Sequence, residues 1–228
     1  MRLNFAGGEP LLHGKQIPDL VRFASELGFK TSLITNGSRL SASLLGEIAP
    51  HMSWLGLSLD STNDQANREI GRVDRRGGLL DLAELTENIA AEMHKNPSLK
   101  LKVNTVVNAL NVSEDFSDLI SGLSPNKWKI LRMLPVVNQN LTVSDAEFQA
   151  FVERHHAFLD VYRVEDNDEM LESYIMIDPL GRFYQNGDDT LSKGYQYSPP
   201  ILSASAPVAF ASMRFSAERY AARYSEVA

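Results

Sequence analysis

The stretch LKLKVNTVV, residues 99–107, alternates Lys100, Lys102 and Asn104 with Leu101 and Val103 before it closes on Thr105, Val106 and Val107. A period of two predicts a β-strand, here with one polar and one apolar face. RLNFA (2–6) repeats the pattern with Arg2 and Asn4, and KWKILRML (127–134) with Lys127 and Lys129. KTSLIT (30–35) and WLGLSLD (54–60) complete five predicted strands.

The intervening segments carry the helical period. Ile17, Leu20, Val21, Ala24 and Leu27 recur at that spacing and end at Gly28, a residue suited to a helix C-terminus. Further helices are predicted at SASLLGEIA (41–49), at Leu79–Met93, and at SEDFSDLISGL (113–123) with Ser113 as its N-cap. Ser144 and Glu147 form a capping-box pattern ahead of Phe148, Phe151 and Val152, which predicts a fifth. Strands alternating with helices imply an α/β fold of parallel strands, either barrel-like or an open doubly wound sheet. Past residue 165 the pattern changes. ESYIMIDPLGRFYQN (172–186) predicts a β-hairpin around Pro-Leu-Gly, appended to the sheet, and YSPPIL begins a proline-rich connector to a helical tail. The expectation is a single domain over 1–228, with βα repeats to 165 and the hairpin and tail over 166–228.

Parallel strands with both faces covered read as near-continuous Val, Ile and Leu. Strands one, four and five do not. Burying an isolated ammonium is costly, so these lysines are expected to be paired or turned toward water or a polyanion. Lys100 and Lys127 stand at strand ends that solvent can reach, whereas the mid-strand Lys102 and Lys129 point to a ligand such as a triphosphate. The loops after the strands (GGEP, TNGS, DSTN, IGRVDRRGG, NALN and LPVVNQN) are small and polar, and three of the six bear glycine. In parallel α/β folds those loops hold the ligand. Each alone also reads as an ordinary turn.

Composition bounds the function. The net charge of −7 argues against polymeric nucleic acid and anionic membranes as partners, and no apolar run approaches the roughly 18–20 residues of a membrane span. A cytoplasmic location is the default expectation. The sequence has no cysteine, so it supplies neither disulfides nor thiolate ligands. His155 and His156 are expected to pack or face solvent, EDNDEM (165–170) reads as a solvated loop, and no nucleophile elbow, Walker loop or zinc-protease motif occurs.

NFAGGEP, TNGS, LSLDS, IGRV, KVNTVVN, KWKILRMLP and SYIMID, in this order, give the chain a resemblance to the viperin branch of the radical S-adenosylmethionine enzymes over nearly its whole length. The resemblance implies a partial (β/α) barrel and a dehydratase that uses S-adenosylmethionine and a four-iron four-sulfur cluster. An electron donor drives it, and the product is a 3′-deoxy-3′,4′-didehydro nucleoside triphosphate made in antiviral defence. It assigns Gly7, Gly8 and Glu9 to the methionine moiety, Asn36 and Ser58 to contacts near its ribose and carboxylate, and Arg72 to a further basic contact. Arg2, Asn4, Lys102, Asn104, Lys127 and Lys129 fall on the nucleotide side, Lys129 also with a catalytic role, and Tyr174 near the substrate ribose as a group that helps the hydroxyl depart. Arg2 and Ala6 stand where animal members carry lysine and serine. A larger departure is the missing Cys-x-x-x-Cys-x-x-Cys loop, which in that family follows the first barrel strand. The expectation is that this chain lacks the first βα unit and exposes strand one as an edge, a liability for stability. It is also expected to be inactive alone. The alternative is a nucleotide-binding sensor or partner without catalysis.

Overall fold

A computed structural model describes residues 1–74, 76–133, 140–165, 175–185 and 195–219. Two compact units divide the chain, Met1–Val164 and Glu165–Ala228. The first is built on strands β1 (Arg2–Phe5), β2 (Lys30–Thr35), β3 (Trp54–Ser58), β4 (Lys100–Val107), β5 (Lys127–Arg132) and β6 (Tyr162–Glu165). They lie side by side in sequence order, with β1 through β5 paired in parallel. Sequential order is the arrangement of a partial (β/α) barrel, and among the described residues the sheet is open, with β1 and β6 at its edges.

Among the described residues six α-helices connect or follow these strands: α1 (Ile17–Glu26), α2 (Ala42–Ile48), α3 (Asp64–Ile70), α4 (Leu82–Lys95), α5 (Ser117–Leu123) and α6 (Asp145–Arg154). Ser144 and Glu147 make the full capping box at α6. Two elements depart from the sequence expectation. α3 lies in what reads as a loop, because it is short and buries only Ala66, which leaves no apolar stripe to recognise. Ser113 is not an N-cap, since α5 starts four residues later behind Phe116, whose ring is buried in the core.

Register partners in a sheet share a face, and the pairings sort this sheet into two unlike sides. Leu33, Leu55, Leu57, Leu101, Val103, Val107, Trp128 and Ile130 form the apolar side, packed with Val21, Leu45, Ile48, Leu85, Ile89, Phe116, Ile120 and Phe151 from the helices and their flanks. Buried Trp128 donates from Nε1 to Thr105 Oγ1 at 3.0 Å. Around it, His155 is fully buried among the rings of Trp128, Phe116 and Phe151. Its Nε2 accepts from the Phe116 N–H at 2.9 Å and its Nδ1 lies 2.8 Å from the Phe151 carbonyl, so the proton resides on Nδ1. The imidazole therefore holds a helix start in place of a side-chain cap.

The second unit carries an antiparallel sheet of β7 (Met176–Ile177), β8 (Arg182–Gln185) and β9 (Gln196–Pro200), followed by the short helices α7 (Ile201–Ala204) and α8 (Ala206–Ala211). The predicted hairpin is present, turning at Gly181 with φ +68°, but it forms a sheet of its own with β9 as a third strand rather than extending the parallel sheet. The prolines of YSPP conceal that strand in the sequence. They are tolerated because β9 lies at an edge, and where the register shifts between Arg182 and Tyr184 the Phe183 N–H bonds the Ser198 hydroxyl at 2.9 Å. Among the described residues no helix is long and apolar enough to cross a membrane.

Candidate functional site

The polar side of the large sheet gathers residues distant in sequence. Asn4 pairs with Ser32, Ser32 with Trp54 and Trp54 with Lys100. Gly56 and Lys127 flank Lys102, and Ser58 and Lys129 flank Asn104. Arg2, Lys100, Lys102, Lys127 and Lys129 thus occupy one face of the sheet, on β1, β4 and β5. Lys102, Lys127 and Lys129 are half-buried, whereas Arg2, Asn4 and Lys100 are exposed. Trp54 carries the Arg2 guanidinium 5.8 Å and the Lys100 ammonium 5.6 Å from its ring centre, and Ser32 donates to Asn4 Oδ1 at 2.8 Å. Gly56 is the small residue that makes room: a Cβ there would come within 3.3 Å of Lys102 Cε and 3.0 Å of Ile34 Cγ1.

At the C-terminal ends of β2 and β3 lies a cavity of about 460 Å³, within the range of small-ligand sites. Asn36, Ser58 and Arg72 all line it, with Asp60, Asp74 and Asp81. The Arg72 guanidinium is fixed by Asp60: Nε donates to Oδ2 at 2.7 Å, and Nη2 bonds the same oxygen. Asp60 is buried, and its other oxygen accepts from the Val106 N–H at 2.9 Å, tying the arginine to β4. Asn111 bonds the Asp60 carbonyl. Beside it, Glu114 joins the Ser61 hydroxyl and the Thr62 N–H, so the loops after β3 and β4 are braced against each other. Asp74 closes its loop by accepting from the N–H groups of Gly78 and Arg76, which hold its carboxyl below the usual carboxylate range.

The GGEP loop does not line this cavity, yet it is bonded to the loop that does. Glu9 Oε1 accepts from the Leu11 N–H at 2.9 Å and the Thr35 hydroxyl at 2.7 Å, and Oε2 from the Asn36 N–H at 2.8 Å. Three of the roughly four acceptor sites of a carboxylate are taken, leaving one on Oε2. Gly7 and Gly8 have φ of +93° and +49°, and a Cβ on either would meet nothing within 4 Å. The backbone here is open to a close approach. Tyr174 lies outside the described residues, as do residues 134–139 of the last predicted loop.

Asp60 is the site residue that sequence reading missed. Within LSLDS it looks like a turn former, and its partner stands 12 positions away beyond α3, the helix that the pattern does not reveal.

A four-iron four-sulfur cluster does not fit the residues present. The sequence contains no cysteine, and among the described residues no three His, Asp or Glu side chains are grouped to hold a metal.

Solved structures with this arrangement include SuiB of Streptococcus suis bound to S-adenosylmethionine, with a TM-score of 0.64 and 14% identity, covering 97% of this chain and 56% of that one. AnSMEcpe with bound AdoMet and a peptide gives a TM-score of 0.63 and 16% identity, covering 92% and 66%. The fold is that of the radical S-adenosylmethionine enzymes. No protein-family model matches the chain. A relative from Pseudoalteromonas ulvae named S-adenosylmethionine-dependent nucleotide dehydratase is 43% identical over 227 residues, 100% of this chain and 73% of that protein. One of the same name from Psychrobacter lutiphocae is 42% identical, covering 98% and 74%. The chain belongs to the viperin-like S-adenosylmethionine-dependent nucleotide dehydratases, an enzyme family.

Proposed function

We propose that this chain is the ligand-binding body of a dehydratase that converts a nucleoside triphosphate to its 3′-deoxy-3′,4′-didehydro form in antiviral defence. The observation that carries the reading is the polar sheet face, where Lys102, Lys127 and Lys129 stand in adjacent register on β4 and β5. Lysine ammonium groups at strand spacing suit the distributed charge of a triphosphate. Asn4 and Asn104 on the same face serve the ribose. In the cavity beside it, Arg72 takes the carboxylate of S-adenosylmethionine and Asn36 and Ser58 its polar edges, while from the loop outside that cavity the remaining acceptor of Glu9 takes its amine. S-adenosylmethionine held there would supply, in the complete enzyme, the 5′-deoxyadenosyl group that takes the hydrogen atom of C4′. The hydroxyl then leaves C3′ as water, with one proton from Tyr174 and one electron from a donor, and the C3′–C4′ double bond remains. Lys129 holds the phosphates so that C4′ is positioned for that transfer.

Calorimetric titration of the chain with each nucleoside triphosphate tests the binding half of this reading. Saturable binding that weakens about tenfold in Lys102→Ala and in Lys129→Ala supports it, and no saturable binding to any of them refutes it. A second reading, a nucleotide-binding protein that does no chemistry, is favoured by the lack of cysteine. In a version of the protein that carries a cluster-binding cysteine loop, supplying iron, sulfide, a reductant and S-adenosylmethionine separates the two, since only the enzyme yields 5′-deoxyadenosine with a nucleotide lighter by one water.

A further inference from the structure

On β3, β4 and β5 the strand register rules the polar face of the large sheet into rows. Ser58, Asn104 and Lys129 form the row nearest the C-terminal ends, Gly56, Lys102 and Lys127 the next, and Trp54 with Lys100 the row at the N-terminal ends. Rows on one face are two residues apart, so the first and the last are separated by about 13 Å along the strands. Trp54 is 9% exposed and lies beneath two exposed cations, the Arg2 guanidinium 5.8 Å and the Lys100 ammonium 5.6 Å from its ring centre. A lysine at the first position of a strand can turn into bulk water, but this one is folded back over an indole. The π-face holds a cation in place without neutralising it and leaves its N–H donors for an anion.

We infer that Lys100 is a ligand for the terminal phosphate of the nucleotide and that Trp54 is the positioning residue that holds it, with Arg2, at that end of the face. The inference rests on the nucleoside triphosphate reading above and deepens it, since a cation at the last row makes the site a gauge of phosphate-chain length. The direction follows from two ligands that must meet. The cavity assigned to S-adenosylmethionine lies at the C-terminal ends of β2 and β3, so the reacting ribose stays at that end and the phosphates run toward the N-terminal ends. A phosphate chain that starts beside Asn104 and Lys129 passes Lys102 and Lys127 and reaches Lys100 last. Packing alone does not account for the indole. Parallel strands fill such positions with Val, Ile or Leu, which would support the sheet equally but offer no π-face to gather two cations.

The test uses the full chain labelled with fluorotryptophan. Its two tryptophans give two fluorine NMR signals, and the one from Trp128, fully buried in the apolar core, reports folding. Each nucleoside triphosphate is expected to shift the Trp54 signal and to leave that of Trp128 in place, whereas the matching diphosphate leaves both. Lys100→Met keeps the aliphatic stem and removes the charge; it should weaken triphosphate binding about tenfold with diphosphate affinity unchanged, and Lys100→Arg should restore it. Trp54→Leu should lose the preference for triphosphate over diphosphate, and Trp54→Phe should keep it, whereas a merely structural role for the ring would lower both affinities alike. Triphosphate binding with a silent Trp54 signal, or equal losses for the two nucleotides in Lys100→Met, overturns the inference and leaves the nucleotide reading standing. Absence of binding by every nucleotide overturns both.

Discussion

Asp60→Asn separates the support of the cavity from its chemistry. In the native chain one buried carboxylate oxygen takes two donors from Arg72 and the other takes the Val106 N–H. An asparagine keeps the second bond but removes the charge opposite a guanidinium. Charge-assisted hydrogen bonds contribute about 1.5–3 kcal/mol each, and breaking a buried pair costs about 3–5 kcal/mol. The Arg72 side chain is 35% exposed, so solvent recovers part of that. A net loss of about 2 kcal/mol is expected. For a protein of this size that lowers the melting temperature by about 4–8 °C, measurable by calorimetry or urea titration. A second effect concerns ligand binding. Arg72 loses the contact that orients it, so affinity for S-adenosylhomocysteine should fall about tenfold, or about 1.4 kcal/mol. Arg72→Ala should lose as much, and the double variant no more than either alone. Lower stability with unchanged affinity would refute the view that Asp60 aims Arg72 at a ligand.

Burial pushes His155 below its ordinary value of 6.5, with Arg154 acting in the same sense and the Phe151 carbonyl and Asp115 opposing it. The unfolded chain therefore binds the proton first as pH falls through about 6.5, so stability should be full above that value and decline below it. Urea midpoints at about pH 7.5 and 5.5 should differ more in the native protein than in His155→Gln, and equal differences would sink the assignment. Gly56→Ala forces a methyl within 3.3 Å of Lys102 Cε and the Leu33 carbonyl oxygen; it should cost about 1–3 kcal/mol and weaken triphosphate binding by displacing Lys102. Glu9→Ala strands the N–H groups of Leu11 and Asn36 and the Thr35 hydroxyl. It should destabilise by about 2 kcal/mol and loosen the loops after β1 and β2, seen as faster amide exchange at Asn36.

What the sequence reveals here follows from what period it carries. Lys100, Lys102 and Asn104 announce their shared face because a strand's period of two is legible over a few residues, and the five strands found that way lie within two residues of their structural bounds. α3, with one buried residue, and the four-residue β6 offer no such repeat. β9 is hidden by Pro199 and Pro200, since a proline argues against a strand unless the strand is known to be an edge. The Asp60–Arg72 pair is illegible for a different reason: its two halves are joined by folding, and neither has a local pattern of its own.

The parallel sheet shows why charge and base recognition need different surfaces. Helices cover its apolar side, while its other side sets lysines on neighbouring strands, about 5 Å apart across the sheet. Two ammonium groups at about 5–7 Å repel by about 0.6–3 kcal/mol as the effective dielectric falls from about 80 to about 20, so the face gains from a polyanion lying across it. Such a face selects phosphate and is indifferent to what the ribose carries, because ammonium groups read charge rather than shape. Discriminating one base from another requires flat surfaces with fixed hydrogen-bond donors. The polar face provides no flat aromatic surface beyond Trp54 of β3, which already carries two cations. Variants of Lys102 and Lys129 should therefore weaken the binding of all nucleoside triphosphates alike, and a loss confined to one of them would refute this reading.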